Sequence, residues 1–213
     1  IQDGALTSLS GTLTIGGNFI NSETFTHGSG VLRFTATSTA LVTASSSDLY
    51  STTFSGGGSY TFTDTNKALL GSLRIESGSV ALATGTMSVG GSFVNTGGSF
   101  AHGSGTVLFN STDTGETINP GNSSFYNVSL ASAGGGWTIN GNATTTGNFT
   151  LSTATNFTVS SSTRLYVGGV FTNLVGGAAT TWTGSTLVID SGSSYTINTK
   201  AAGGDVYNTL TIG

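Results

Sequence analysis

Residues 1–21, IQDGALTSLSGTLTIGGNFIN, lie without a gap over residues 75–95, IESGSVALATGTMSVGGSFVN, at an offset of 74, and both stretches run on to a shared His-Gly-Ser-Gly. The match keeps Ile1/Ile75, Gly4/Gly78, Gly11/Gly85, Thr12/Thr86, Gly16/Gly90, Gly17/Gly91, Phe19/Phe93 and Asn21/Asn95. These are turn glycines and apolar anchors rather than reactive groups, so what repeats is architecture and not chemistry.

A third copy follows with small insertions. Leu165-Tyr166-Val167-Gly168-Gly169-Val170-Phe171-Thr172-Asn173 matches Met87–Asn95 at an offset of 78. Other landmarks keep phase: Leu49-Tyr50, Phe125-Tyr126 and Val206-Tyr207 each open a short apolar stretch, and Gly56-Gly57-Gly58 returns as Gly134-Gly135-Gly136 ahead of Tyr60 or Trp137. The chain reads as about three imperfect repeats of roughly 76 residues, with phases near 1–74, 75–150 and 151–213.

Composition narrows the class. Of 213 residues only 7% are charged, against roughly 25% in ordinary soluble domains, while Ser and Thr make up about a third and Gly another 34 residues. Disordered chains combine low hydrophobicity with high net charge; this one is 36% hydrophobic, holds 12 Phe and carries a net charge of −4. The five basic residues, Arg33, Lys67, Arg74, Arg164 and Lys200, form no cationic track for phosphates, which argues against nucleic acid as a partner. No apolar run approaches the roughly 18–20 residues of a membrane span. With no Cys there is neither a disulfide framework nor a thiolate metal site.

Period-two alternation dominates, as in Thr12–Ile15, Gly30–Phe34, Tyr60–Thr63, Ser72–Ile75, Thr106–Phe109, Phe149–Leu151, Phe157–Val159 and Thr186–Ile189. It points one row of side chains inward and one outward on a pleated strand. No stretch carries helical apolar spacing, so the chain is all-β. Short strands between Gly, Ser, Asn and Thr suit stacked coils, and a single proline, Pro120, argues against tandem sandwiches. The expected fold is one continuous right-handed parallel β-solenoid over residues 1–213, the hand following the general crossover preference. Four coils of about 19 residues per repeat give about eleven coils, with glycine supplying positive φ at the corners.

The order Thr-x-Thr-Ile-Gly-Gly-x-Phe-x-Asn, then His-Gly-Ser-Gly-x-Val-x-Phe, Ser124-Phe125-Tyr126-Asn127-Val128-Ser129-Leu130 and Gly134-Gly135-Gly136-Trp137-Thr138-Ile139-Asn140-Gly141-Asn142 resembles the repeats of large secreted bacterial surface proteins of the β-helical stalk or adhesin type. The similarity runs over essentially the whole chain. It implies an extracellular or cell-surface location and a fibre role. Solenoid ends expose strand edges, and neither terminus offers a cap. The expectation is therefore a structural segment that pairs end to end with copies of itself or with adjoining repeats of a longer chain. A glycan- or ice-binding adhesive surface is the alternative, and a polysaccharide lyase or hydrolase ranks below it.

Candidate chemistry is sparse. His27 and His102 occupy the same place in the repeat without recurring Asp, Glu or Cys beside them, which reads as a turn residue replaced near Trp182 in the third copy. Asp113-Thr114-Gly115-Glu116 reads as a polar loop. Asp64-Thr65-Asn66 begins like a calcium loop and lacks its later Gly and Glu. No catalytic, cofactor or metal residues are assigned. The Thr pairs 12/14, 24/26, 35/37, 61/63, 144/146 and 181/183 would have to share a face to meet ice or a glycan. Trp137, Trp182, Tyr50, Tyr126 and Tyr207 are the rings available for sugar stacking, and a core role is expected for them. Asn110, Asn122, Asn127, Asn142, Asn148 and Asn156 head Asn-x-Ser/Thr sequons and mark candidate glycosylation positions.

Overall fold

Strands of two to five residues are too short to hold a sheet alone, so their alternating side chains need neighbours on both edges. In the computed structural model, which describes residues 4–190, 195–196 and 206–213, every strand pair is parallel and links one coil to the next. Each coil carries three strands, one per face. Face one is a nine-stranded ladder from Thr12–Ile15 to Thr180–Thr181. Face two begins with the five strands from Phe19–Ile20 to Ser99–Ala101 and continues through the Phe125–Thr145 bridge into the four from Ala143–Thr145 to Thr209–Ile212. Face three opens with the pair Ala5–Thr7 and Thr24–Thr26, passes the Leu49–Leu69 bridge, and runs through seven strands from Lys67–Leu69 to Tyr195–Thr196. The result is a β-solenoid of about ten turns.

Coil length departs from the expected 19 residues. Along face one the inward ladder Leu13, Leu32, Thr52, Leu73, Phe93, Ile118, Ile139, Val159 advances by 19, 20, 21, 20, 25, 21 and 20 residues. Corners absorb the difference, most of all the 110–115 loop, because a bulge at a corner leaves strand register untouched. Ten turns therefore replace eleven.

The sequence repeat is not a whole number of coils. Thr12–Ile15 lies on face one, but its repeat equivalent Thr86–Val89 lies on face three, and the next, Arg164–Val167, on face two. Counting the Leu49 and Phe125 bridges as strand positions, equivalent strands stand eleven positions apart, or three and two-thirds coils. Each repeat thus shifts its motifs by one face.

The interior is a column of apolar rungs. Phe34, Phe54, Phe93, Phe109, Phe157 and Phe171 are fully buried, and Phe34 lies flat on Phe54 at 5.0 Å. Burying each such ring favours folding by roughly 1.5–3 kcal/mol. Polar residues enter where the chain must turn. The repeated asparagines Asn21, Asn95 and Asn173 are buried, and Asn95 shows why: its Nδ2 donates to Pro120 O (3.0 Å) while its Oδ1 accepts from Gly98 N (3.0 Å). One side chain satisfies backbone groups of two coils that would otherwise be stranded inside.

Candidate functional site

Surface chemistry concentrates at the corners, where side chains leave the ladder. The His-Gly-Ser-Gly turns are built alike. Gly30 N donates to His27 O and Gly105 N to His102 O, both at 3.0 Å, and φ is positive at both central residues (54° and 58°, 57° and 60°), the pattern of a type I′ turn. His27 Nδ1 accepts from Ser29 N at 2.9 Å and His102 Nδ1 from Ser104 N at 3.0 Å. Each imidazole lies over a tyrosine of the next coil, His27 on Tyr50 and His102 on Tyr126, with ring centres 5.5 Å apart in both. The two corners belong to different edges of the solenoid, the first between faces three and one, the second between faces two and three.

The third copy keeps the turn and changes its filling. Ser185 N donates to Trp182 O at 3.1 Å, but only Gly184 has positive φ (72°), as in a type II turn. Where the first two copies bury Phe25 and Phe100, the third has Thr180; where they show a half-buried histidine, it has the buried Trp182. Volume explains the exchange. Phe100 packs on Phe93 (5.0 Å), and Trp182 reaches Phe171, the repeat equivalent of Phe93, at 6.3 Å, and Phe157 at 5.7 Å. The indole fills core space that a phenyl ring fills in the other copies. Its edge meets Tyr207 at 4.9 Å and 75°, rather than stacking flat. Two polar atoms stay inside without partners, Trp182 Nε1 and Thr180 Oγ1. Beside them opens a cavity of about 470 Å³.

Among the aromatics expected in the core, Trp137 and Trp182 are buried, while Tyr50 and Tyr207 are half-buried and Tyr126 is exposed. The tyrosines precede their strands and so sit on corners, outside the strict alternation. Tyr60 is fully buried and donates to Ala36 O (2.7 Å); burial pushes its phenol above the usual tyrosine value. Gly56 makes room for that ring, since a Cβ there would meet Ala36 O and Tyr60 Oη, and Gly135 does the same for Trp137. Neither glycine triplet has positive φ, so these corners need glycine for space and not for the left-handed conformation expected of them.

The acidic candidates brace turns. The Asp64 carboxylate accepts from Ala44 N (2.8 Å) and Ser45 N (3.1 Å) and pairs with Lys67 Nζ (3.2 Å). Lys67, buried in an otherwise apolar row, also donates to Ser45 O (2.7 Å) and Ser47 O (3.0 Å), so its three protons are all used. Asn66 Oδ1 accepts from Thr86 N at 2.7 Å. Ser111 Oγ caps Asp113 N in the corner loop, whereas Glu116, expected in the same loop, opens the strand Glu116–Asn119 and accepts from Ser92 Oγ across coils. Arg33 and Arg74 converge on Glu76 at the surface of face one. Among the described residues no three His, Cys, Asp or Glu side chains gather as a metal site would require.

The Thr pairs picked out in sequence point outward but fall on different faces. Stacking instead aligns Thr117, Thr138, Thr158 and Thr181 on face one, residues whose sequence spacing alone does not single them out. Three sequon asparagines bridge coils through Oδ1: Asn127 to Asn148 N, Asn148 to Val170 N and Asn142 to Arg164 N. Asn110, Asn122 and Asn156 are exposed. Compared with known proteins, the chain matches no protein-family model, no curated protein and no solved structure.

Proposed function

We propose that this chain is a structural segment of an extracellular fibre or cell-surface stalk, without enzymatic activity, which extends by end-to-end strand stacking on copies of itself or on adjoining repeats. The observation that carries this reading is the state of the two terminal coils. Thr12–Ile15 pairs with Val31–Phe34 on one edge, and Thr209–Ile212 with Thr186–Ile189; among the described residues their other edges have no strand partner. Apolar side chains stand open at both ends, Leu6 at 38% and Leu9 at 82% exposure, Leu210 at 40% and Ile212 at 64%. An uncovered strand edge above an open apolar column is a template for a further coil. The resemblance to stalk-type surface repeats and the low charge agree with a shaft held by backbone and apolar contacts.

Electron microscopy of the purified protein tests the reading. Uniform filaments that persist from dilute to molar salt are expected, since screening acts on charges and not on stacked strands. Dispersed particles at all concentrations, or filaments that dissolve in salt, would overturn it.

A further inference from the structure

We propose that two copies of this chain join through one strand pair, with Thr209–Ile212 of the first copy lying parallel and in register beneath Thr12–Ile15 of the second. The inference rests on the fibre reading in taking the ends to meet, and it names the contact by which they do. Its basis is that the two edge strands carry the same five residues, Thr12-Leu13-Thr14-Ile15-Gly16 and Thr209-Leu210-Thr211-Ile212-Gly213. Among the described residues, Thr12–Ile15 is paired only toward Val31–Phe34 and Thr209–Ile212 only toward Thr186–Ile189, so their free edges face opposite ways along the axis.

Backbone and side chains both fit this register. Successive residues of a strand turn their N–H and C=O groups to opposite edges. Thr35 N donates to Ile15 O (2.9 Å), which leaves the groups of Thr12, Thr14 and Gly16 for the free edge; Gly213 N donates to Ile189 O (3.0 Å), which leaves those of Leu210 and Ile212 for the other. With Thr12 over Thr209, Thr14 N donates to Leu210 O and Gly16 N to Ile212 O, while Leu210 N donates to Thr12 O and Ile212 N to Thr14 O. Inside, Leu187 and Ile189 already pair with Leu210 and Ile212, as Leu13 and Ile15 do with Leu32 and Phe34. The junction therefore carries two apolar rows across without a break, Leu187-Leu210-Leu13-Leu32 and Ile189-Ile212-Ile15-Phe34, and covers the exposed Leu210 and Ile212. A slip of one residue would set leucine and isoleucine over threonine and turn one row outward. Because Thr12–Ile15 lies on face one and Thr209–Ile212 on face two, each copy is turned by one face against the next.

Gly16 is a second sign of this contact. A Cβ on its repeat equivalent, Gly90, would meet the backbone of Leu70, the residue that follows the paired strand Lys67–Leu69. Within one copy a Cβ on Gly16 has ordinary room, the nearest described atom being Thr35 Oγ1 at 4.0 Å. In the junction Gly213 follows the strand beneath and takes the part of Leu70, so glycine is again required.

The chain has no Cys, so Thr14→Cys and Thr211→Cys each introduce a single thiol, at exposed positions that this register sets opposite one another. The two proteins mixed and treated with a short bismaleimide are expected to give a covalent dimer joined 14 to 211, identified by mass spectrometry, and neither protein alone is expected to give one. Adding Gly16→Ala to the Thr14→Cys protein is expected to lower the yield of that dimer roughly tenfold at an unchanged melting temperature; should that variant melt early, the 14–211 link alone decides. No such link, links only within one variant, or an undiminished yield with a folded Gly16→Ala would each overturn the register. Filaments without the link sink this strand pair and leave the fibre reading standing, whereas the link without filaments keeps the pair and sinks the fibre.

Discussion

The corner at His102 and the corner at Trp182 stand at the same place in successive repeats and share a turn closed by the same backbone hydrogen bond, yet they bury different rings. All six positions of the motif differ, and two of them decide which ring enters the core. Phenylalanine at 100 with histidine at 102 puts one ring inside and one on the surface; threonine at 180 with tryptophan at 182 sends the larger ring inward and leaves polar atoms beside it. The repeat thus fixes where the chain turns, while the pair of side chains two residues apart decides what the turn encloses.

The comparison can be broken most severely at Trp182. Trp182→Ala is expected to cost about 3–5 kcal/mol in urea unfolding, as for a buried aromatic ring. A loss below about 1 kcal/mol would show that the indole does not hold the core. Next in size is the exchange itself. Thr180→Phe alone overfills the corner and Trp182→His alone empties it, so the double variant should be more stable than the sum of the two by about 1–3 kcal/mol. Additive effects would refute the idea of one shared volume. Gly103→Ala and Gly184→Ala probe the turns, at φ of 57° and 72°. Each is expected to lose about 1–2 kcal/mol, because alanine pays for the left-handed region that glycine occupies freely. The smallest effect belongs to His102→Ala, about 0.5–1 kcal/mol for one partly exposed ring contact and hydrogen bond, read by the same unfolding measurement.

Much of this fold is legible in the chain. Alternation places Gly30–Phe34, Thr106–Phe109, Phe157–Val159 and Thr186–Ile189 in strands, and the structure has strands at Val31–Phe34, Thr106–Phe109, Asn156–Val159 and Thr186–Ile189. Phe93, a repeat landmark in the sequence, is fully buried, so Phe93→Ala is expected to cost about 3–5 kcal/mol. The recurring Asn of Phe-x-Asn was visible as a landmark, but not as a bracket, because its partners, such as Pro120 O for Asn95, lie a coil away. Face assignment escaped for a related reason: strands are alike on all three faces, and corners vary in length without disturbing the alternation. The contacts of the Trp182 corner were out of reach too. Thr180, Trp182 and Tyr207 meet only when coils stack, and tryptophan in a low-complexity chain carries the same signal whether it fills core or lines a cavity.

The mismatch between repeat and coil bears on the shape of the rod. Any asymmetry in a repeat, such as a bulky corner or a tight glycine step, tilts the axis toward one side. Because the following repeat carries the same asymmetry on the adjoining side, and the third on the remaining one, the tilts cancel over a cycle of three. Imperfect units thereby set their tilts on three different sides, so that no one side accumulates them, with no strand required to be individually regular.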